Sequence, residues 1–378
     1  MPQEPVQFIP GDDTRAKPEP GIGLCLSGGG YRAMVFHVGA LWRLYEVGLL
    51  RNVKRISSVS GGSITAATLA LKWNQLSFDP AKIQSDFVPQ VVAPIRRLAG
   101  ETIDAEAIIL GIALPGNISD RVAAAYEEHL FGKATLQDLP QAPRFIINAT
   151  NVQSGVLWRF SKPYIRDYRV GEIRNPTVAL ATAVAASSAF PPVLSPVEMR
   201  FEERAFTPNS GLDLQRAPYT TKVVLTDGGV YDNLGLETVW KRYDTVLVSD
   251  GGGQMQPEEE PKTDWARHAY RVLDVIDNQV RSLRKRQTID SFISGARKGA
   301  YWGIRTDIAA YKVDGALDCP LGRTIQLAQI KTRLKRMDDA LQERLINWGY
   351  AVCDAGLRAH VDATLDKPKG FPFPQRGV

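Results

Sequence analysis

Three short runs in the sequence pair glycine with a residue able to take part in acyl chemistry, and each follows an apolar stretch. The first is Ser57-Ser58-Val59-Ser60-Gly61-Gly62. A serine hydroxyl is a weak nucleophile until a nearby base takes its proton. A sharp strand-to-helix turn can hold such a serine in a strained, exposed position, and the helix N-terminus that follows favours negative charge beside it. Ser60 has that setting, with Ser63, Ala66 and Ala67 beyond the glycines for close helix packing. The usual spacing is G-x-S-x-G, and Ser58 stands where the first glycine belongs. Taken alone, the run reads equally well as a glycine-rich turn with an incidental serine.

The second run, Ser27-Gly28-Gly29-Gly30-Tyr31-Arg32, lies upstream. Successive glycines leave main-chain N–H groups unobstructed and able to converge on an anion or oxyanion. Arg32 is expected to add a fixed positive charge at the mouth of such a site. A dinucleotide fingerprint fails on spacing, because Gly21-Ile22-Gly23 has no third glycine in register. A P-loop fails because no Gly-Lys-Ser/Thr follows. The plain alternative is a flexible turn.

The third run is Asp227-Gly228-Gly229-Val230-Tyr231-Asp232-Asn233. A carboxylate presented by two glycines at a strand end suits a base toward a serine hydroxyl, although Asp-Gly is also common in plain turns. Asp250-Gly251-Gly252-Gly253 competes in a similar setting, and spacing does not choose between the two. Histidine is the usual base in serine hydrolases. Of the four histidines, His37, His129 and His360 have no strand-end context, and His268 follows Asp227 in an order that permits a triad.

The elements that would position these residues alternate. Ile22–Leu26, Arg55–Val59, Arg144–Thr150, Val156–Ser161, Lys222–Thr226 and Thr245–Ser249 read as strands. Arg32–Val47, stopped by Gly48, the small-residue stretch from Gly61 to about Trp73, Trp265–Arg284 and Ile330–Trp348 read as helices. Such alternation predicts a three-layer α/β/α sandwich with a central, mainly parallel sheet, in which reactive groups collect at the carboxyl ends of strands. One catalytic domain is expected over 21–360, between a flexible N-terminal segment (1–20) and a flexible C-terminal tail (361–378), both rich in proline. Within it, 76–140 reads either as a mobile cap or as a plain helical insertion.

The 378 residues carry 46 Lys and Arg against 41 Asp and Glu, for a net charge of +5. That balance favours anionic surfaces but is too weak to imply nucleic acid. The Arg281–Arg286 run is a candidate dock for anionic lipid, the plainer and commoner reading being a solvated helix face. Three distant cysteines, Cys25, Cys319 and Cys353, exclude a disulfide framework and read as core residues, and no metal or cofactor is expected. No signal segment is recognisable, and no apolar run reaches the ~20 residues that span a bilayer. Val178–Ala186 reads as a buried helix. The expected address is the cytoplasm, with any membrane contact peripheral.

Together and in this order, the motifs resemble those of the patatin-like phospholipases, especially the bacterial members. The resemblance runs from about Gly21 to Gly253 and more loosely over Leu345–Arg358. A fourth block, Ala185-Ala186-Ser187-Ser188-Ala189-Phe190-Pro191-Pro192, matches the family's Ala/Ser-rich helix running into proline. Ala33 departs from the family where a glycine is frequent. The resemblance implies that Gly28, Gly29, Gly30 and Arg32 form the oxyanion motif, that Ser60 is the nucleophile, and that Asp227, trailed by Asn233, is its partner. The implied activity is hydrolysis of lipid acyl esters, of phospholipase A or lysophospholipase type, by a Ser–Asp dyad through an acyl-enzyme. The implied partner is a lipid substrate at a membrane surface. The alternatives are a Ser-His-Asp esterase on a similar fold and a catalytically silent lipid- or anion-binding module.

Overall fold

The apolar runs that end in glycine-rich turns are strands of one ten-stranded sheet in the computed structural model, which describes residues 18–103, 118–191 and 194–378. The strands are β1 (Glu19–Leu26), β2 (Val53–Val59), β3 (Arg144–Asn151), β4 (Val156–Phe160), β5 (Tyr164–Asp167), β6 (Gly171–Arg174), β7 (Val197–Arg200), β8 (Lys222–Asp227), β9 (Tyr243–Asp250) and β10 (Lys298–Gly303). Their order is β10-β9-β1-β2-β3-β4-β5-β6, with β8 also on β3 and β7 on β8. The first five run parallel, and every pairing beyond β3 is antiparallel.

Helices cover both faces, which makes the molecule an α/β/α sandwich. The main ones are α1 (Gly30–Glu46), α2 (Gly61–Lys72), α3 (Leu180–Ser187), α4 (Trp265–Ile293) and α5 (Asp339–His360). Side chains alternate across β1, so Leu24 and Leu26 join the large core with α1, α2 and α5. Cys25 points the other way, into a smaller core with Val246, Val248 and Tyr301, against which Ile289 and Phe292 of α4 pack. The helix α1 is buried along nearly its whole length. It crosses α5 backbone on backbone: a Cβ on Gly39 would lie 1.9 Å from the Ile346 carbonyl, and one on Gly349 as close to that of Phe36.

One detail of register positions the site. Strand β2 pairs with β3 as far as Val59 opposite Asn148. From Ala149 onward β8 takes over, with Asp227 opposite Ala149. Strand β4 occupies the other edge of β3 over the same residues, so β2 and β8 share one edge and meet with their carboxyl ends facing. Ser60 follows the last residue of one strand, and Asp227 is the last residue of the other.

Three expectations need correction. The apolar spacing over Ile330–Trp348 predicts one helix, but helix α5 begins only at Asp339, capped by Asp338, whose side chain accepts from the Leu341 amide at 2.8 Å. The stretch before it is an irregular strap that buries Leu334 and Met337, accepts a backbone hydrogen bond from the Ile103 amide and donates one to the Ala99 carbonyl. The C-terminal stretch 361–378 is packed rather than loose. Asn347 bonds the Phe373 and Gly377 carbonyls, Phe373 stacks edge-on against Trp42, and Val378 is buried. At the other end β1 already starts at Glu19, and residues 1–17 lie outside the described residues. Of 76–140, the part from 104 to 117 likewise lies outside them, and none of the described remainder lines the cavity set out below. As expected, Leu180–Ser187 is a buried helix and all three cysteines are buried and free.

Candidate active site

Ser60 sits at the turn between β2 and α2 with φ 51° and ψ −123°, a conformation that costs energy for any residue with a Cβ. The structure shows what holds it there. The Ser60 amide donates to Ser187 Oγ at 3.0 Å, and Ser187 Oγ in turn donates to the Asn148 carbonyl at 2.6 Å. Ser63 Oγ lies 2.9 Å from Ser187 Oγ and donates to Ser58 Oγ at 3.0 Å. Serine at 58 thus replaces the usual glycine as part of a buried brace. The glycines after Ser60 answer a different need, since a Cβ on Gly61 would lie 2.1 Å from the Gly30 carbonyl, and one on Gly62 2.4 Å from that of Leu26.

The glycine loop at the start of α1 therefore lies directly against the serine turn. Gly29 (φ 145°) and Gly30 (φ 59°) adopt backbone angles that suit only glycine, and their amides carry no hydrogen bond among the described residues. Two of the expected oxyanion residues act otherwise. The Gly28 amide is taken by the Asn233 carbonyl at 3.0 Å, which clips the Asp227 turn to this loop. Arg32 is not at the mouth: it is 2% exposed and points away from the cavity. Its guanidinium bonds the Gly251 carbonyl at 3.2 Å, Thr332 Oγ1 at 3.0 Å and the Ile330 carbonyl. Burial lowers its pKa to about 10. A buried guanidinium needs acceptors on every side, and the turn after β9 and the strap before α5 supply them.

Asp227 is 2% exposed. Its Oδ1 accepts from the Gly229 amide at 2.6 Å, and Oδ2 is buried with no hydrogen-bond partner among the described residues. Burial pushes the carboxyl up to about 7, while the Gly229 amide and the Ser60 hydroxyl act in the opposite direction. Serine and carboxyl are thus within each other's influence without a bond of ordinary geometry. The backbone of Asp227 is fixed by Ala189, whose carbonyl accepts its amide at 3.0 Å, and by the Thr150 hydroxyl at 2.8 Å. Helix α3 and the residues after it therefore hold both members: Ser187 the serine, Ala189 the aspartate.

Ser60, Asp227 and Gly28–Gly30 line one cavity of about 470 Å³. Sequence reasoning missed Ser187, which lay inside a recognised block but had no visible partner. It also missed the strap residues Lys331–Leu334, whose apolar spacing imitates a helix. Asp250 is not on this cavity. It accepts from Tyr301 Oη at 2.6 Å and the Gly252 amide at 2.9 Å, and Lys285 and Arg281 hold its carboxyl below the usual range against the effect of burial. None of the four histidines lines the cavity. His37 is buried and neutral, its pKa lowered by burial to about 4, and it braces Ser27 O at 2.9 Å and Ser249 Oγ at 2.8 Å. His268 is exposed on α4. Three of the four basic side chains expected to meet lipid turn inward: Arg281 donates to the Gly253 carbonyl, Arg284 pairs with Glu237, and Lys285 lies over the Tyr301 ring. No cluster able to hold a metal ion occurs among the described residues.

The model of the patatin-like phospholipase family matches residues 24–240, more than half of the chain. No match was found among curated proteins. Among solved structures, a human GIVD cytosolic phospholipase A2 in complex with methyl gamma-linolenyl fluorophosphonate is 15% identical, with a TM-score of 0.48 over 90% of this chain and 58% of that one. VipD from Legionella pneumophila is 15% identical, with a TM-score of 0.36 over 91% and 68%. The type III effector protein ExoU is 14% identical, with a TM-score of 0.34 over 91% and 54%. The chain spans about half the length of the human phospholipase chains it matches.

Proposed function

For this chain, which belongs to the patatin-like phospholipase family, we propose hydrolysis of lipid acyl esters by Ser60 and Asp227 through an acyl-enzyme. Ser60 Oγ attacks the ester carbonyl carbon as its proton passes to Asp227 Oδ2. The carbonyl oxygen, now negative, is held by the Gly29 and Gly30 amides beside the α2 N-terminus. Collapse expels the alcohol, which takes the proton from Asp227. Water then repeats the sequence on the acyl-serine, with Asp227 again as base, and releases the fatty acid. Losing one oxyanion donor costs roughly 10²–10³ in rate.

The observation that carries this proposal is the meeting of a strained serine and a buried, half-partnered carboxyl in one cavity, beside two unpaired amides. A lipid surface as the place of action is supported by α4. One side of that helix contributes Tyr270, Asp274 and Arg281 to the cavity, and the other exposes Trp265 (85%), Val272, Ile276, Val280 and Leu283 at helical spacing. No helix among the described residues is long and apolar enough to cross a membrane.

A fluorophosphonate probe should label the wild type and fail on Ser60→Ala. Folded Asp227→Ala should be inactive on a mixed lipid extract, and His268→Ala should release fatty acid normally. The reverse pattern for those two would favour a histidine triad. A protein that binds lipid and never labels would be a silent module.

A further inference from the structure

A second cavity, of about 210 Å³, adjoins the first and shares Gly253, Gln254, Asn278 and Arg281 with it. It lies between α4 and the turn after β10, and its charged lining is Arg281, Lys285, Arg305 and Asp250. The carboxylate is already satisfied by Tyr301 and the Gly252 amide. The cations are not. Among the described residues, Arg305 Nε and Nη2 are buried without a hydrogen-bond partner. The Lys285 ammonium lies 4.8 Å over the Tyr301 ring and, among the described residues, makes no hydrogen bond. Arg281 is hydrogen-bonded, to the Gly253 carbonyl at 2.6 Å and to Asp277 at 3.4 Å.

Buried guanidinium N–H groups left without an acceptor are costly and uncommon. A guanidinium presents its donors in a planar fork that fits two oxygens of an oxyanion, and an ammonium adds a point charge. Arg281 is paired with Asp277, so Lys285 and Arg305 share the one remaining carboxylate, Asp250, and one positive charge is left over. A phosphate supplies that charge and enough oxygens for the open Arg305 fork and the Lys285 ammonium together. Burial and the Arg281 charge both lower the Arg305 pKa, crowding that an anion would relieve. Gly252 belongs to the same construction, since a Cβ there would lie 2.2 Å from Arg281 Nη2.

We propose that this second cavity is a phosphate site built from Arg305, Lys285 and Arg281. The phosphate comes from one of two sources: the headgroup of a lipid whose ester lies at Ser60, or a free phosphate. The headgroup source rests on the hydrolase proposal, whereas phosphate binding itself does not.

The test uses the full chain carrying Ser60→Ala, with calorimetry against inorganic phosphate and glycerol 3-phosphate. Both should bind, and affinity should fall about tenfold or more with Arg305→Gln added. Lys285→Gln is the second variant, and thermal melts check that both remain folded. The source is then read with Ser60 intact, from the kcat/KM ratio of phosphatidylglycerol to a phosphate-free monoacylglycerol. A roughly tenfold lower ratio in Arg305→Gln assigns the headgroup. An unchanged ratio, with phosphate affinity still lost, assigns free phosphate. No binding of either probe at millimolar concentration overturns the site even if hydrolysis is robust. Absent hydrolysis with binding intact would remove the hydrolase proposal and leave the phosphate site standing.

Discussion

Asp227 is buried and, in the proposed mechanism, must also be a base; its pKa, raised by burial to about 7, records the conflict. Only the ionised form can take the serine proton, so the rate of fluorophosphonate labelling should rise with pH and level off above about 7. A profile flat from pH 5 to 8 would exclude this carboxyl as the base. Stability runs the other way. Between the ordinary aspartate pKa and about 7 the folded state keeps a proton that the unfolded state has released, so stability falls as pH rises through that window. Asp227→Asn should therefore raise the unfolding free energy at pH 8, by up to a few kcal/mol, and leave it nearly unchanged near pH 4, as measured by urea denaturation. Ser187→Ala removes the hydroxyl that holds the Ser60 amide and should slow labelling by about tenfold while the protein stays folded. That Ser60 and Asp227 end on one cavity was legible from glycine beside each at a strand end together with the family resemblance, which singled out Asp227 where Asp250 had the same setting. The roles of Gly28 and Arg32 were not, because the sequence does not say which main-chain carbonyl an amide or a guanidinium will find. Asn233 and the 251–332 contacts decided those.

Among the elements, the close contact of the Gly28–Gly30 loop with the α2 N-terminus sets the tolerance of the site. Gly61→Ala drives a Cβ into the Gly30 carbonyl, so melting temperature and labelling should both drop, with a cost of about 1–3 kcal/mol. Gly322→Ala is the contrast: it lies in the short helix Leu321–Ala328 with nothing within 4 Å, and should stabilise by roughly 0.5–1 kcal/mol in the same melt. Of the parallel strands, β1, β2 and β9 announced themselves as apolar runs followed by glycine and β3 as an apolar run alone, whereas β10 was not foreseen. Nor was the β5–β6 hairpin, since Tyr164–Asp167 and Gly171–Arg174 each carry charged residues and bury only alternate side chains. The strap before α5 was hidden for the opposite reason. Its apolar residues keep helical spacing while their amides and carbonyls are satisfied by other segments, and periodicity reports burial, not hydrogen bonding.

For the molecule as a whole, the outward side of α4 sets apart the surface beside the candidate active site. Ile276→Asp with Leu283→Asp should weaken sedimentation with phospholipid vesicles while the melting temperature changes little, because both side chains are half exposed or more. Unchanged vesicle binding would remove α4 as the contact. The positive net charge and the Arg281–Arg286 run suggested a basic lipid-facing surface, whereas the proposed contact is the apolar side of the same helix. Arg281, Arg284 and Lys285 point into the protein, and the apolar residues of the same helix point out. Charge counts do not distinguish the two sides of a helix.

The shared edge of β3 also fixes when the proposed pair can assemble. During synthesis β2 can dock on β3 early, but the upper half of that edge stays vacant until β8 arrives much later in the chain. Under the proposed mechanism, a polypeptide halted between residues 187 and 227 would carry the Ser60 turn and its Ser187 brace without the carboxyl meant to act on them, and so would hydrolyse nothing.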